Sequence, residues 1–455
     1  MRSLVLAGGG MRVAWQAGVV RALQEDGLTF DHVDGASGGI MTAGMLLSGV
    51  DGAAMCRRWR DVNVQDFGSA LPLRDYLTGP WNLPAIGDAD GVLTKVFPAL
   101  GIDVAAINAS PVVGTFNVVD FVTKECFAIE STHVDAPLLA AGMSLPLWLT
   151  PLKRDGHVWT DAVWIRDANV AEALRRGADE VWLVWCIGNS PHWGDGPLEQ
   201  YVHMIEMSAT GALVADFALA DAQGRSWVLH VVRPERPLPL DPEFYLGRVS
   251  AESLVQMGYR DARAYLDTRT PDGVTKDASC TAMVDPPPSA RYTEHLRGDV
   301  DGSPVTLDLT VVMPLDGDPD GSQVAGAVDH APWGERVYLA DGRLETTPDR
   351  FSYHGTLRVD GRVLDLVATR SLVDDAGFDA WSDLDHVDLT VTAREGEVVL
   401  HASLQLGAGG LARLVASVEP VGVHGVLDRA NVGRRFLARL GRGPGVRGAT
   451  ATGEA

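Results

Sequence analysis

The chain has 455 residues, 46% of them hydrophobic and 22% charged, and a formal net charge of −22. This length exceeds one ordinary core, so two domains are expected. The acidic balance argues against nucleic acid as a partner, because phosphate binding needs a basic face, and disfavours broad attraction to anionic membranes.

Elements follow in chain order. Leu4–Ala7 reads as a buried strand and Ala14–Gln24 as a helix with Val19, Val20 and Leu23 facing inward. His32-Val33 is a short second strand, followed by a helix from Ile40 to Leu47. Further strands are expected at Val112–Val119 and Val181–Cys186, the latter after a helix around Val170–Arg176 closed by Gly177. Helices continue over Leu198–Ala222 and Ala251–Leu266. Strands alternating with helices imply an α/β layer with a largely parallel sheet. No apolar run of bilayer-spanning length stands out, and Leu4–Ala7 is too short for a signal-peptide core. A cytoplasmic location is expected, with transient peripheral contact at a membrane surface.

The run Asp285-Pro286-Pro287-Pro288-Ser289 tolerates neither helix nor central strand and marks a boundary. Beyond it, Val305–Val312, Thr356–Val359, Val387–Val391 and Val398–Leu404 alternate with period two. Turns such as Asp360-Gly361 and Glu395-Gly396 separate them, a hairpin signal. The expected organisation is a first domain over 1–275, a Pro-rich linker over 276–290 and a β-rich domain over 291–455. The last is read as an antiparallel sandwich or barrel. It ends in a short basic helix with Val432, Phe436 and Leu440 on one face, and a disordered tail after Gly443. A basic amphipathic helix suits a membrane surface, but packing of Phe436 onto the β domain is the plainer expectation.

Two glycine-rich turns near the start carry the chemistry. Gly8-Gly9-Gly10-Met11-Arg12 follows the first strand, and consecutive backbone N–H groups there suit a developing negative charge. Gly35-Ala36-Ser37-Gly38-Gly39 fits the G-x-S-x-G nucleophile elbow, with Ser37 as nucleophile and Gly35 and Gly39 allowing close packing. Because the elbow follows only one βα unit, the oxyanion donors belong to the Gly8–Gly10 turn, with Gly9 and Gly10 favoured. Arg12 is expected to support that loop or to contact a phosphate, with a plain surface arginine as the alternative. Serine needs a base, and spacing alone does not select one. His157 and Asp161 both stand near a short strand-like run, and each has an ordinary structural reading. A dinucleotide site on Gly8-x-Gly10 is disfavoured, because Val13 occupies the third glycine of G-x-G-x-x-G.

Four blocks in order resemble the patatin-like phospholipase family: Leu6–Arg12, Asp34–Gly39, Ala141–Leu147 and Thr160-Asp161-Ala162. The resemblance covers residues 3 to about 190 and implies a three-layer α/β domain with a Ser37–Asp161 dyad and Gly8–Gly10 as oxyanion loop. It implies hydrolysis of lipid-like carboxylic esters, phospholipid or lysophospholipid first. The alternative is a catalytically silent, lipid-binding or scaffold protein on the same fold. The chain departs from the family at Val13, Val163 and Arg166-Asp167-Ala168-Asn169-Val170. No metal or other cofactor is expected, since H-E-x-x-H, EF-hand and histidine clusters are lacking. Cys56, Cys126, Cys186 and Cys280 are scattered and read as small buried hydrophobes. Trp15, Trp59, Trp81, Trp148, Trp159 and Trp164 are read as core or as the rim of an acyl pocket, with Trp148 the first candidate for substrate contact.

Overall fold

The computed structural model describes residues 1–440 except 78, 80, 81, 189, 195, 240–248, 317–320, 335, 348, 349, 372–384, 408 and 424. Trp81 and the tail after Gly443 lie outside the described residues. The chain divides into Met1–Asp285 and Pro286–Ala455.

The first unit is built on an eight-stranded mixed sheet. Its strands are β1 (Arg2–Leu6), β2 (His32–Ala36), β3 (Val113–Asp120), β4 (Glu125–Glu130), β5 (Leu152–Arg154), β6 (His157–Asp161), β7 (Glu180–Val184) and β8 (Val228–Val232). The order is β8-β7-β1-β2-β3-β6-β5, with β4 also on β3. The pairs from β8 to β3 are parallel, whereas β4, β5 and β6 join antiparallel. The parallel strands are buried along most of their length, and β1 and β7 run apolar from Leu4 to Leu6 and from Val181 to Val184, as cover on both faces requires.

Helices cover that sheet: α1 (Ala14–Glu25), α2 (Gly39–Leu47), α3 (Val170–Arg175), α4 (Pro197–Ala222) and α5 (Ala251–Thr268). Helices α1 and α5 touch backbone to backbone. A Cβ on Gly18 would stand 2.0 Å from the Val255 carbonyl oxygen, and one on Gly258 would stand 1.9 Å from that of Trp15. Trp15 Nε1 donates to Asp261 across the same contact at 2.9 Å.

Contrary to the sequence expectation, α4 has the length and mean hydropathy, 1.2, of a membrane-crossing helix. Here it lies along the domain. Ile205, Ala209, Leu213 and Phe217, one face at a spacing of four, are buried in the core, and Glu206 and Asp216 are buried with them.

The second unit is an antiparallel barrel of β9 (Ser289–Val300), β10 (Ser303–Pro314), β11 (Gln323–His330), β12 (Ala340–Thr347), β13 (Arg350–Val359), β14 (Arg362–Ser371), β15 (His386–Ala393) and β16 (Val398–Gln405). Each strand pairs with the next, and β16 returns to β9 through Arg297 and Gln405. Closure joins the first and last strands of this meander, which spares both an open edge. The alternation read in the sequence is the inside–outside alternation of the wall. On β14, for instance, Leu364, Leu366, Ala368 and Arg370 are buried.

The inward side chains form one apolar cluster that fills the barrel. A polar cluster interrupts it: Arg370 donates to both carboxylate oxygens of Glu294, at 3.1 and 2.7 Å, and the Tyr353 hydroxyl donates to the same carboxylate at 2.7 Å. The bidentate pairing offsets the cost of burying both charges. The terminal helix α6 (Val426–Leu440) packs on this unit by Val432 and Phe436, the ring of Phe436 lying 4.8 Å from that of Tyr292. Its arginines are left to other work: Arg435 pairs with Asp316.

Candidate active site

Both glycine turns leave the same end of the sheet, because the strands before them are parallel neighbours in register. Leu6 of β1 pairs with Gly35 of β2, so the chain turns at Gly8 and at Ser37 side by side. On the other side of β2, Ala36 pairs with Asn117 of β3, and the next residue, Val118, pairs with Asp161 of β6. Ser37 and Asp161 thus come level across β3 though 124 residues apart in sequence.

Ser37 has φ 49°, the left-handed strain expected of a nucleophile elbow. Its Oγ donates to Asp161 Oδ2 at 2.7 Å, its one hydrogen bond among the described residues. The other oxygen of Asp161 accepts the Val163 N–H at 2.9 Å. Burial pushes the Asp161 carboxyl up to about 7, opposed by the Ser37 hydroxyl and the backbone N–H groups of Val163 and Ala162. The strand that carries it is held by the small-residue stretch, since Ser144 O accepts from Asp161 N at 3.2 Å and Thr160 Oγ1 at 2.7 Å.

The glycine turn wraps tightly around the serine. Gly9 and Gly10 have φ 153° and 58°, conformations that glycine adopts without a Cβ penalty. A Cβ on Gly8 would meet Ser37 Cβ at 2.6 Å and Asp167 Oδ1 at 2.3 Å. Three polar backbone groups of the turn are already engaged. Gly8 N donates to Asp167 Oδ2 at 3.1 Å, and Gly8 O accepts from Cys186 Sγ at 3.0 Å. Gly9 O accepts from both the N–H and the Nε of Arg12, each at 3.1 Å. Among the described residues the N–H groups of Gly9 and Gly10 have no acceptor. Arg12 is buried, 8% exposed, and braces the turn. Gly8, expected with its neighbours as an oxyanion donor, instead spends its N–H on Asp167.

His157 lies elsewhere, its Nδ1 2.9 Å from Asp120 Oδ2. Trp148 is 40% exposed, while Trp15 and Trp59 are fully buried. Cys56, Cys126, Cys186 and Cys280 are unbridged, and burial pushes the Cys186 thiol up to about 12. No group of three His, Cys, Asp or Glu residues among those described is placed to hold a metal ion.

Beneath the elbow runs a buried polar chain that the sequence reading missed. Ser3 Oγ meets His32 Nδ1 at 2.6 Å, His32 Nε2 meets Thr115 Oγ1 at 2.8 Å, and Thr115 donates to Asp34 Oδ2 at 2.5 Å. Asn117 donates to Asp34 Oδ1 at 2.7 Å and to Gly35 O at 3.1 Å, and accepts from Asn169 Nδ2 at 2.6 Å. Asn169 Oδ1 in turn caps α3 through Glu172 N. Burial pushes Asp34 up to about 7 despite its Thr115 and Asn117 donors, and lowers His32 to about 4. The signal was the period-two row His32, Asp34 on β2 beside Thr115, Asn117 on β3, polar residues where a buried strand should be apolar.

Comparison with known proteins defines the class. Residues 4–174 match the family model described as patatin-like phospholipase, and no family model matches the C-terminal region. Residues 4–174 thus form a patatin-like domain, and a domain of this family suggests a lipid acyl hydrolase. Among solved structures, VipD from Legionella pneumophila matches with 14% identity over 59% of this chain and 67% of that one, at a TM-score of 0.30. No curated protein matches.

Proposed function

We propose that the first unit hydrolyses carboxylic esters of lipids, phospholipid or lysophospholipid first, through a Ser37–Asp161 dyad. The observation that carries this reading is the 2.7 Å hydrogen bond from a strained, buried serine hydroxyl to a buried aspartate. In the first step Ser37 Oγ adds to the ester carbonyl carbon while its proton passes to Asp161 Oδ2. The negative oxygen that forms is met by the N–H groups of Gly9 and Gly10, with Arg12 holding their loop. Collapse expels the alcohol, which takes the proton back from Asp161. Water then adds to the acyl-serine with Asp161 again as base, and the fatty acid leaves.

A carboxylate is a weak base in water; burial makes Asp161 basic enough for this task. Transient contact with a lipid surface belongs to the same reading. Exposed Leu147 and Trp148 follow the stretch that holds Asp161, and Ile86, bonded to the Leu147 carbonyl at 2.9 Å, is exposed beside them. A tryptophan at such a rim suits a boundary between water and acyl chains.

The test is hydrolysis of mixed-chain phosphatidylcholine, lysophosphatidylcholine and p-nitrophenyl esters by the full chain and by Ser37→Ala. Release of fatty acid by the wild type and its loss in the variant support the reading. Equal release by both, or binding of lipid vesicles without hydrolysis, overturns it, and the latter favours the silent lipid-binding alternative.

A further inference from the structure

A second buried carboxyl stands at the serine, and the dyad does not use it. Asp167 is fully buried, and among the described residues the Gly8 N–H is the one donor it meets, at Oδ2. Its Oδ1 is buried without a hydrogen-bond partner among the described residues. That oxygen and Ser37 Cβ lie within 2.6 Å of one and the same point, the place a Gly8 side chain would fill. Among the described residues no lysine, arginine or histidine forms an ion pair with it. The charged groups that face it are Asp161, a like charge when ionised, and Arg12, engaged with Gly9. An ion held here with one hydrogen bond would be strongly disfavoured, so the neutral acid is the stable form.

The same geometry says what Asp167 is for. Gly8 is gripped at both backbone groups, by Asp167 at its N–H and by Cys186 at its carbonyl, and Gly9 O is gripped twice by Arg12. With those groups fixed, the two N–H groups left over are those of Gly9 and Gly10. We propose that Asp167 is a positioning residue that acts as a neutral acid, holding Gly8 so that the Gly9 and Gly10 N–H groups face the oxygen made negative when Ser37 adds to an ester. An ionised carboxylate so close would repel that oxygen; a neutral acid holds the loop without doing so. The pairing also divides labour between two carboxyls, one ionised as base and one kept protonated. Burial and the neighbouring Asp161 raise Asp167 well above the usual carboxylate range, in keeping with that division.

This inference rests on Ser37 as nucleophile, and its test separates the two. Asp167→Asn keeps an acceptor for Gly8 N–H and a donor in place of the acid O–H, whereas Asp167→Ala removes both. The full chain and both variants are compared in p-nitrophenyl ester hydrolysis and in hydrogen exchange of the peptide spanning Gly8–Arg12. Asp167→Ala is expected to lose on the order of 10² in kcat with KM changed less than about threefold, and to speed exchange of that peptide. Asp167→Asn is expected to stay within about threefold of wild type in kcat, with unchanged exchange. Wild-type kcat and exchange in Asp167→Ala would overturn the proposal, as would an Asn variant as impaired as the Ala one. Should Asp167→Ala fail to fold, the Asn variant alone decides on kcat. Should the wild type show no hydrolysis, the nucleophile reading fails, and exchange in the two variants still decides whether Asp167 holds the loop.

Discussion

Asn117 Nδ2 donates to the carbonyl oxygen of Gly35 at 3.1 Å, directly under the turn that carries Ser37. The same amide group holds Asp34, so both of its N–H donors are used within the protein, and its oxygen accepts from Asn169. One side chain on β3 thereby ties the serine turn to the segment that follows Asp161. Asn117→Ala is expected to strand Asp34 Oδ1, Gly35 O and Asn169 Nδ2 and to destabilise the unit by about 2–4 kcal/mol. Urea unfolding followed by tryptophan fluorescence measures it; a loss below about 0.5 kcal/mol would contradict the clamp.

The strain at Ser37 sets a second expectation. A positive φ penalises any residue with a Cβ, so Ser37→Gly should be more stable than Ser37→Ala by about 1 kcal/mol, with hydrolysis absent from both. Thermal unfolding of the two variants side by side gives the order.

Gly8 allows no side chain. In Gly8→Ala the new methyl would stand against Asp167 and Ser37, and overpacking of this kind costs about 1–3 kcal/mol. Ester hydrolysis should fall on the order of 10² or more, because the turn carrying Gly9 and Gly10 must shift. Full activity in Gly8→Ala would show that this turn takes no part.

The pH dependence follows from Asp161, raised to about 7 by burial. It accepts the serine proton only when ionised, so the rate of reaction at Ser37 should be low near pH 5 and rise through about pH 7. Stability runs the other way. The folded state binds the Asp161 proton more tightly than the unfolded state, whose aspartates titrate near 3.9, so stability falls as pH rises from about 4 to about 7. Asp161→Asn removes that penalty, and its gain in Tm over wild type should be larger at pH 8 than at pH 5.

In the barrel, Arg370 and Glu294 are a buried pair. Arg370→Met leaves Glu294 an uncompensated buried charge and should cost about 3–5 kcal/mol, whereas the double change Arg370→Met with Glu294→Gln should cost less. A double-mutant cycle in urea measures the coupling.

Much of this was legible in the chain. The apolar runs of β1 and β7, the alternating wall of the barrel and the hairpin at Asp360-Gly361 follow from local pattern, and both Asp360 and Gly361 have positive φ, 49° and 75°. Whether the alternating strands close was not legible, because alternation is the same in a sandwich and a barrel. The antiparallel addition of β5 and β6 was equally hidden, and with it the reason Asp161 comes level with Ser37. That is a matter of register across β3, which no local spacing encodes. Asp167 and Asn169 stood in the stretch that departs from the family pattern. Their partners, Gly8 and Asn117, are 159 and 52 residues away, so the departure was visible and its purpose was not.

The measurement that tests the dyad most directly is labelling by a fluorophosphonate probe, with the modified peptide mapped and Asp161→Asn run alongside. The account predicts modification at Ser37 in the wild type, with a rate that falls sharply in the Asp161 variant. Folded wild-type protein that stays unlabelled, or labelling at Ser37 that is indifferent to Asp161, would contradict it.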